Sequence, residues 1–193
     1  MGKIIVSENL SLDGVDQDPT GEEGFRHGGW FNEIGDADRA AWAGLGQEEA
    51  LGATAFLLGR RSYEYLAARW PSREGVWADR LNSMPKYVVS STLRRPEWAN
   101  STVLGGEVVG AVAKLKEEVD GEIIVAASHQ LVRTLVEHDL VDEFRLVVFP
   151  VMLGDGDRLF GPTADRLPLR LLAARAVGDD LALLSYERVR ESG

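Results

Sequence analysis

The chain is long enough for one domain with a full hydrophobic core, and it is strongly acidic. It has 193 residues, 31 acidic against 21 basic side chains, a formal net charge of −10 and a sequence pI of about 4.8. Nucleic acids and anionic membranes reward basic surfaces, so we expect neither as a partner and expect a small soluble ligand instead. The lack of cysteine excludes disulfides and thiolate chemistry, and three widely spaced histidines predict no metal site. With no basic start followed by a long apolar run, the sequence predicts a cytoplasmic protein forming a single domain over residues 1–193.

A long polar loop follows the first predicted strand. Lys3 to Leu10 is rich in β-formers and leads through the turn Ser11–Gly14, in which Asp13 is expected to bind nearby backbone, into a loop that runs from Val15 to Trp30. Long ordered loops often carry function. Two interpretations of its end remain open, a lid that closes over a planar substrate or an aromatic anchor to the core. Both concern the same three residues, Gly29, Trp30 and Phe31.

The segment from Ala55 to Glu64 predicts a buried strand that runs directly into a helix. The apolar run Phe56–Leu58 is typical of a strand that is covered on both faces. Gly59 allows a sharp turn or the close approach of a ligand, and Ser62 is expected to cap a helix that begins near Tyr63.

Cations and hydroxyls at two strand ends indicate a phosphate site. Arg60 and Arg61 lie where a helix N-terminus offers unpaired N–H groups and a partial positive charge. A second predicted strand, Pro85 to Thr92, ends in three hydroxyls, those of Ser90, Ser91 and Thr92. The alternative is that the arginines are solvated surface residues and that the hydroxyls satisfy backbone groups.

The remaining elements continue the alternation of strands and helices. Glu122 to Ser128 predicts a third strand-to-helix junction, followed by a helix from His129 to His138 whose core face comprises Leu131, Leu135 and Val136. Further on, Phe144 to Phe149 predicts a buried strand, and residues 167–176 and 182–190 predict a β-hairpin. This order predicts an α/β fold with a mostly parallel central sheet and an antiparallel C-terminal hairpin. No Gly-x-Gly-x-x-Gly follows the first strand, so a Rossmann signature is missing.

Several motifs, in this order and spacing, resemble the dihydrofolate-reductase-like fold, specifically the family related to the C-terminal reductase domain of bifunctional riboflavin-biosynthesis enzymes. The resemblance covers nearly the whole chain and implies a three-layer α/β architecture. The motifs are Ser11–Gly14, Gly28–Trp30, Leu58–Glu64, Val88–Thr92, Leu131–Leu135, Leu140–Glu143 and Pro150–Phe160.

The resemblance implies NADPH as the cofactor, held through its phosphates and its adenosine 2′-phosphate. The positions implied for the cofactor are Gly59, Arg60, Arg61, Ser62, Ser90, Ser91, Thr92, Ala127, Ser128 and Leu131. The family's third junction usually contains a glycine pair or Gly-Ser close to the pyrophosphate, whereas this chain has Ala126 and Ala127. An added Cβ can block that approach if the backbone requires a positive φ.

The same resemblance bears on the substrate. Riboflavin-pathway reductases usually have a lysine at the position of Ser7 and a glutamate at that of Ala126, and neither charge is present. We therefore expect a stand-alone reductase of a small, planar heterocycle, with Asp36 and Asp38 in the region of the acid that orients pterins in dihydrofolate reductases. The alternative is a non-catalytic nucleotide-binding or interaction protein that retains the fold. We also expect a homodimer, from the family resemblance and from the apolar strand Leu146 to Leu153 beside the hairpin.

Overall fold

The structure, a computed structural model, describes residues 1–161 and 166–190 as an α/β fold. Its strands are β1 (Lys3–Ser11), β2 (Ala55–Gly59), β3 (Lys86–Val89), β4 (Ser101–Leu104), β5 (Glu122–Ala126), β6 (Glu143–Phe149), β7 (Leu169–Val177) and β8 (Leu181–Arg188). Its helices are α1 (Asp36–Gly52), α2 (Arg60–Ala67), α3 (Val76–Ser83), α4 (Val108–Glu118) and α5 (His129–Glu137), with a short 3-10 helix at Trp30–Glu33. The eight strands form one mostly parallel sheet in the order β4-β3-β2-β5-β1-β6-β8-β7, and β7 and β8 form the antiparallel hairpin expected from the sequence. None of the described helices is long and apolar enough to cross a membrane.

Contacts within the chain group into two compact units. The first unit comprises Met1–Val6 and Leu45–Asp142, and the second comprises Ser7–Gly44 and Glu143–Gly193. The expectation of a single domain stays a prediction.

In the first unit, parallel strands bring several strand-to-helix junctions to one edge of the sheet. β2 pairs in parallel with β3 on one side and with β5 on the other. Both α2 and α5 pack against β2. The core face predicted for α5 is confirmed, because Leu131, Leu135 and Val136 are all buried.

The start of α2 differs from the sequence-based prediction. The helix begins at Arg60 and Gly59 is its N-cap residue, whereas we expected Ser62 to cap a helix starting near Tyr63. Ser62 therefore lies inside the first turn, where it is buried. The physical reason is that its hydroxyl has a tertiary partner, described below, and is not used for a local cap.

In the second unit, the antiparallel strands β6, β8 and β7 lie side by side in that order. The hairpin turn comprises Gly178–Asp180, within two residues of the predicted position. The expected strand from Leu146 to Leu153 was wrong at its end, because β6 stops at Phe149. Pro150 follows at once and offers no N–H to a strand ladder, which explains the stop.

Asp13 fixes the turn after β1, as the sequence predicted for a structural role. Its carboxylate accepts hydrogen bonds from the Ser11 hydroxyl at 2.7 Å and from the amides of Leu153 at 3.1 Å and Gly154 at 2.8 Å. These donors, that of Ser11 first, lower the pKa of Asp13 to about 2 because they stabilise the charged form. Gly14 follows with a φ of 82°, a conformation that favours glycine.

Candidate functional site

Three parallel strands end side by side in the first unit, and their ends carry most of the predicted cofactor residues. Gly59, the last residue of β2, is in register with Val89, the last residue of β3. On the other side, β5 pairs with β2 and ends at Ala126. Since carboxyl ends of parallel strands meet at one edge of a sheet, Gly59, Ser90 and Ala127 lie along the same edge.

Two serine hydroxyls join the β2–α2 and β5–α5 junctions. The Ser128 hydroxyl accepts a hydrogen bond from the Gly59 N–H at 3.0 Å and donates to the Ala126 carbonyl at 2.9 Å. The Ser62 hydroxyl donates to the Ala127 carbonyl. Ser62 and Ser128 are both buried, so these bonds are shielded from water. These hydroxyls hold the two junctions together, and the cofactor contacts that the resemblance implies for Ser62 and Ser128 stay a prediction.

The joined junctions place two helix N-termini next to each other. α2 begins after Gly59 and α5 begins after Ser128, and neither helix has a side-chain cap among the described residues. The N-cap residue of neither helix accepts these first N–H groups with its own side chain, and each helix adds a partial positive charge at this end. Together they form a location suited to a phosphate or pyrophosphate group.

Gly59 provides space at this location rather than a special backbone angle. Its φ of −73° and ψ of 159° are open to any residue, so the sharp glycine turn considered from the sequence is not present. A Cβ added at Gly59 would lie 3.8 Å from Ser128 and 4.0 Å from Leu131, which is ordinary van der Waals contact. The protein itself therefore tolerates a methyl group at this position, and only a ligand would need its absence.

Ala127 adopts the conformation that the sequence analysis identified as a possible obstacle. Its φ is +51°, in the left-handed region that favours glycine. The chain thus retains the backbone geometry of a glycine at this junction although the side chain is a methyl group. Left-handed geometry costs a non-glycine residue roughly 1 to 2 kcal/mol, so the surrounding bonds must impose it.

Some of the arginines and hydroxyls predicted to bind phosphate already form ion pairs or hydrogen bonds within the protein, and others do not. Arg60 forms a salt bridge with Glu64 at 3.0 Å, while Arg61 is exposed and forms no ion pair with any described residue. The Ser90 hydroxyl accepts hydrogen bonds from the amides of Thr92 at 3.2 Å and Leu93 at 2.9 Å, which is the backbone role considered as the alternative. The side chains of Ser91 and Thr92 are exposed.

The sequence analysis missed a second basic pair, Arg94 and Arg95, which follows the Ser90–Thr92 hydroxyls. Both arginines are exposed. The segment that carries them is held to α2, because the Trp98 N–H donates to the Tyr63 hydroxyl at 2.9 Å. A basic dipeptide just after a hydroxyl-rich strand end was the signal that could have identified them.

The two acidic candidates have different surroundings in the second unit. Asp38 is buried and its Oδ1 accepts hydrogen bonds from the amides of Asp179 at 2.7 Å and Asp180 at 3.1 Å, so it fixes the β7–β8 turn. Asp36 is exposed in the first turn of α1. The structure thus assigns Asp38 a structural contact, and a catalytic role for Asp36 stays a prediction.

The predicted lid residues lie in an aromatic cluster of the second unit. Trp30 is only 2% exposed, packs edge-on against Phe149 with ring centroids 5.1 Å apart, and donates through Nε1 to the Gln17 carbonyl at 3.1 Å. Phe31 packs against Trp42 with centroids 4.7 Å apart. Gly29 precedes them with a φ of 90°. These contacts are those of an anchor, and movement of this segment as a lid stays a prediction.

We expect Ala127→Gly to raise the free energy of unfolding by about 0.5 to 1 kcal/mol. Glycine removes the cost of a left-handed alanine, and part of that gain is offset by its greater entropy in the unfolded chain. Ala126→Gly is the matched control, because this neighbour lies in β5 and should lose stability by a similar amount. Urea denaturation of both variants measures the difference, and a destabilised Ala127→Gly protein would contradict this interpretation of the strained junction.

We expect Trp30→Ala to lower the free energy of unfolding by about 3 to 5 kcal/mol, as truncation of a buried aromatic side chain usually does. Thermal and urea unfolding measure this loss. Phe31→Leu, which retains apolar volume in the same cluster, should cost less. A Trp30→Ala protein with unchanged stability would show that the indole does not anchor the segment and would favour the lid.

Residues 2–183 match the family model described as the RibD C-terminal domain. The chain is 27% identical over 190 residues to the uncharacterized protein YyaP of Bacillus subtilis, covering 95% of this chain and 94% of YyaP.

Two solved structures illustrate the shared fold. RibD of Acinetobacter baumannii superposes with a TM-score of 0.66 at 16% identity, covering 98% of this chain and 59% of that one. Dihydrofolate reductase of Enterococcus faecalis, in complex with NADP(H), superposes with a TM-score of 0.60 at 13% identity, covering 96% of each chain. The family match and these likenesses agree with the resemblance drawn from the motifs. The chain belongs to the RibD C-terminal domain family, a reductase-type family with the dihydrofolate-reductase-like fold.

Proposed function

We propose that this protein is an NADPH-dependent reductase of a small, planar heterocyclic substrate. The observation that carries the proposal is the pair of uncapped helix N-termini, α2 and α5, held next to each other at the ends of neighbouring parallel strands. Membership of a reductase-type family supports the same class of activity. When bound, NADPH would supply the hydride, and the protein would supply binding, orientation and the exclusion of water.

The residues present fit a pyrophosphate group. A Cβ added at Gly59 would lie no closer than 3.8 Å to the nearest atoms, those of Ser128. This space is open in the protein, so the backbone at Gly59 can approach a ligand closely. The N-cap residues of α2 and α5 do not cap their helices with their own side chains, and the N–H groups that open a helix suit a phosphate group. Ala127 has the positive φ that a glycine would adopt in this junction, so its methyl group does not change the course of the backbone.

The preference for NADPH over NADH would come from the cations and hydroxyls around the ends of β2 and β3. Arg61, Arg94 and Arg95 are exposed, as are Ser91 and Thr92. Guanidinium and hydroxyl groups form strong, charge-assisted hydrogen bonds with a phosphate monoester. Arg60 is the weaker candidate, because its guanidinium already binds the Glu64 carboxylate.

The second candidate function is a nucleotide-binding protein without catalysis. It is favoured by one observation, that the carboxylate of Asp38 is occupied by backbone amides of the hairpin turn. A protein of this class would bind NADPH but would not oxidise it when any planar heterocycle is added. Absorbance at the reduced nicotinamide band, followed with pterin and pyrimidine substrates, separates the two functions.

We expect NADPH to bind at least roughly tenfold more tightly than NADH, because a charge-assisted hydrogen bond contributes about 1.5 to 3 kcal/mol. Arg61→Ala should remove most of this preference by weakening NADPH binding alone. Arg60→Ala is the matched control, because it removes the same charge from the neighbouring residue, whose guanidinium is already paired with Glu64. Isothermal titration with both cofactors measures these affinities.

Equal affinity of the wild-type protein for NADPH and NADH would contradict the assignment of the 2′-phosphate contacts. A larger loss in Arg60→Ala than in Arg61→Ala would contradict the roles given to the two arginines. If both variants retain full discrimination, Arg94→Ala and Arg95→Ala test whether the second basic pair supplies it.

A further inference from the structure

The second half of β1 carries two polar side chains on one face of the sheet. Ser7 and Asn9 are both half-buried, whereas Glu8 and Leu10, which point to the opposite face, are buried. β1 lies between β5 and β6 and is therefore an interior strand. Strands inside a mostly parallel sheet are usually covered on both faces and read as continuous apolar runs. The polar positions 7 and 9 therefore indicate a part of this face that stays partly open to a ligand.

A hydrogen bond from Trp42 fixes the orientation of the Asn9 amide. The Trp42 indole donates through Nε1 to the Asn9 Oδ1 at 2.8 Å. An indole N–H can only donate, so the amide atom that faces it must be the oxygen, and the NH₂ group must point elsewhere. No described residue accepts a hydrogen bond from this NH₂ group. Because Asn9 is half-buried, the group is a donor in a fixed direction that remains for water or a ligand.

Aromatic side chains flank this amide. Trp42 lies on α1 and packs edge-on against Phe31, with ring centroids 4.7 Å apart. Phe31 in turn packs against Phe149, with centroids 5.5 Å apart. Trp42 and Phe31 are both half-buried, so part of their ring surface is also open. All four residues belong to the second unit. Sites for flat organic molecules combine such aromatic surface with a few precisely placed polar groups, and Asn9 supplies one.

We propose that the Asn9 NH₂ group binds a carbonyl oxygen of the substrate, so that the protein selects planar heterocycles with an oxo group over those with an amino group at the same position. This inference rests on the proposed function and names the chemical class of its substrate. Turning the amide to offer an acceptor would leave the Trp42 indole N–H without its partner, which is unfavourable. An amino group opposite the NH₂ group would set two donors against each other, and a site built around a donor rejects such a ligand.

Two pairs of flat molecules test this selection, pteridine-2,4-dione against 2,4-diaminopteridine and uracil against 2,4-diaminopyrimidine. Within each pair the ring skeleton is the same, and oxo groups replace amino groups. Isothermal titration is made with and without the oxidised cofactor, which cannot reduce these probes. The wild-type protein should bind at least one dione, and at least roughly tenfold more tightly than its diamino counterpart, because one hydrogen bond is formed in one case and opposed in the other.

Asn9→Asp should reverse this preference. The variant retains the oxygen that Trp42 binds and replaces the NH₂ group by a second acceptor, which suits an amino group. Asn32→Asp is the matched control, because Asn32 is exposed and its side chain donates to the Thr20 carbonyl. This control introduces the same charge in the same unit and should bind the probes as the wild type does.

Trp42→Phe tests the fixed orientation by a second route. It retains an aromatic ring on α1 but removes the indole N–H, so the Asn9 amide can turn and the preference should fall towards equal affinity. Circular dichroism and urea unfolding check that the variants fold. A wild-type protein that binds neither dione, or that binds the diamino compounds as tightly, would overturn the proposal. An unchanged preference in folded Asn9→Asp or Trp42→Phe protein would overturn it as well.

Titration with NADPH separates the failure of this inference from the failure of the proposed function. A protein that binds NADPH but shows no preference that depends on Asn9 would overturn the role of Asn9 alone. A preference that depends on Asn9, in a protein that does not bind NADPH, would support this role and contradict the reductase.

Discussion

The hydrogen bond from the Gly59 amide to the Ser128 hydroxyl, 3.0 Å long, is the contact on which the candidate site depends. It ties the end of β2 to the start of α5, and the same hydroxyl donates back to the Ala126 carbonyl. The Ser62 hydroxyl adds a second tie, to the Ala127 carbonyl. Because these groups are buried and paired, separating the junctions would leave polar atoms unsatisfied at a cost of about 1 to 3 kcal/mol each. The two helix N-termini are therefore fixed side by side.

These two ties between the junctions accompany two features that would each be unfavourable on its own, a left-handed alanine and two helices without side-chain caps. Ala127 has a positive φ at the junction where its carbonyl accepts the Ser62 hydroxyl, and Ser62 makes this contact in place of a capping one. Neither helix is capped by the side chain of its N-cap residue, an arrangement that suits a ligand anion. Backbone strain of the kind that Ala127 shows concentrates at functional sites.

The sequence predicted more of the fold than of the site. The strand Ala55–Gly59, the core face of α5 and the hairpin follow from local periodicity and turn residues, which depend on near neighbours. The start of α2 was wrong because the Ser62 hydroxyl binds a carbonyl 65 residues away, and no local pattern records that contact. For the same reason the amide contacts of Asp38, with residues 141 and 142 positions away, could not be foreseen. The aromatic composition of the Trp30 segment fitted both an anchor and a lid. The contacts of an anchor are recognised only from the burial of Trp30, which the sequence does not record.

The central claim is that a cofactor pyrophosphate lies against the backbone at Gly59, and Gly59→Ala tests it most directly. The backbone angles of Gly59 suit alanine and an added Cβ meets no protein atom closer than 3.8 Å. The variant should therefore unfold at the same free energy as the wild type or up to about 1 kcal/mol above it. Its affinity for NADPH, measured by isothermal titration, should fall by at least roughly tenfold, since the methyl group occupies the space of the ligand. A stably folded Gly59→Ala protein that binds NADPH as tightly as the wild type would contradict the account.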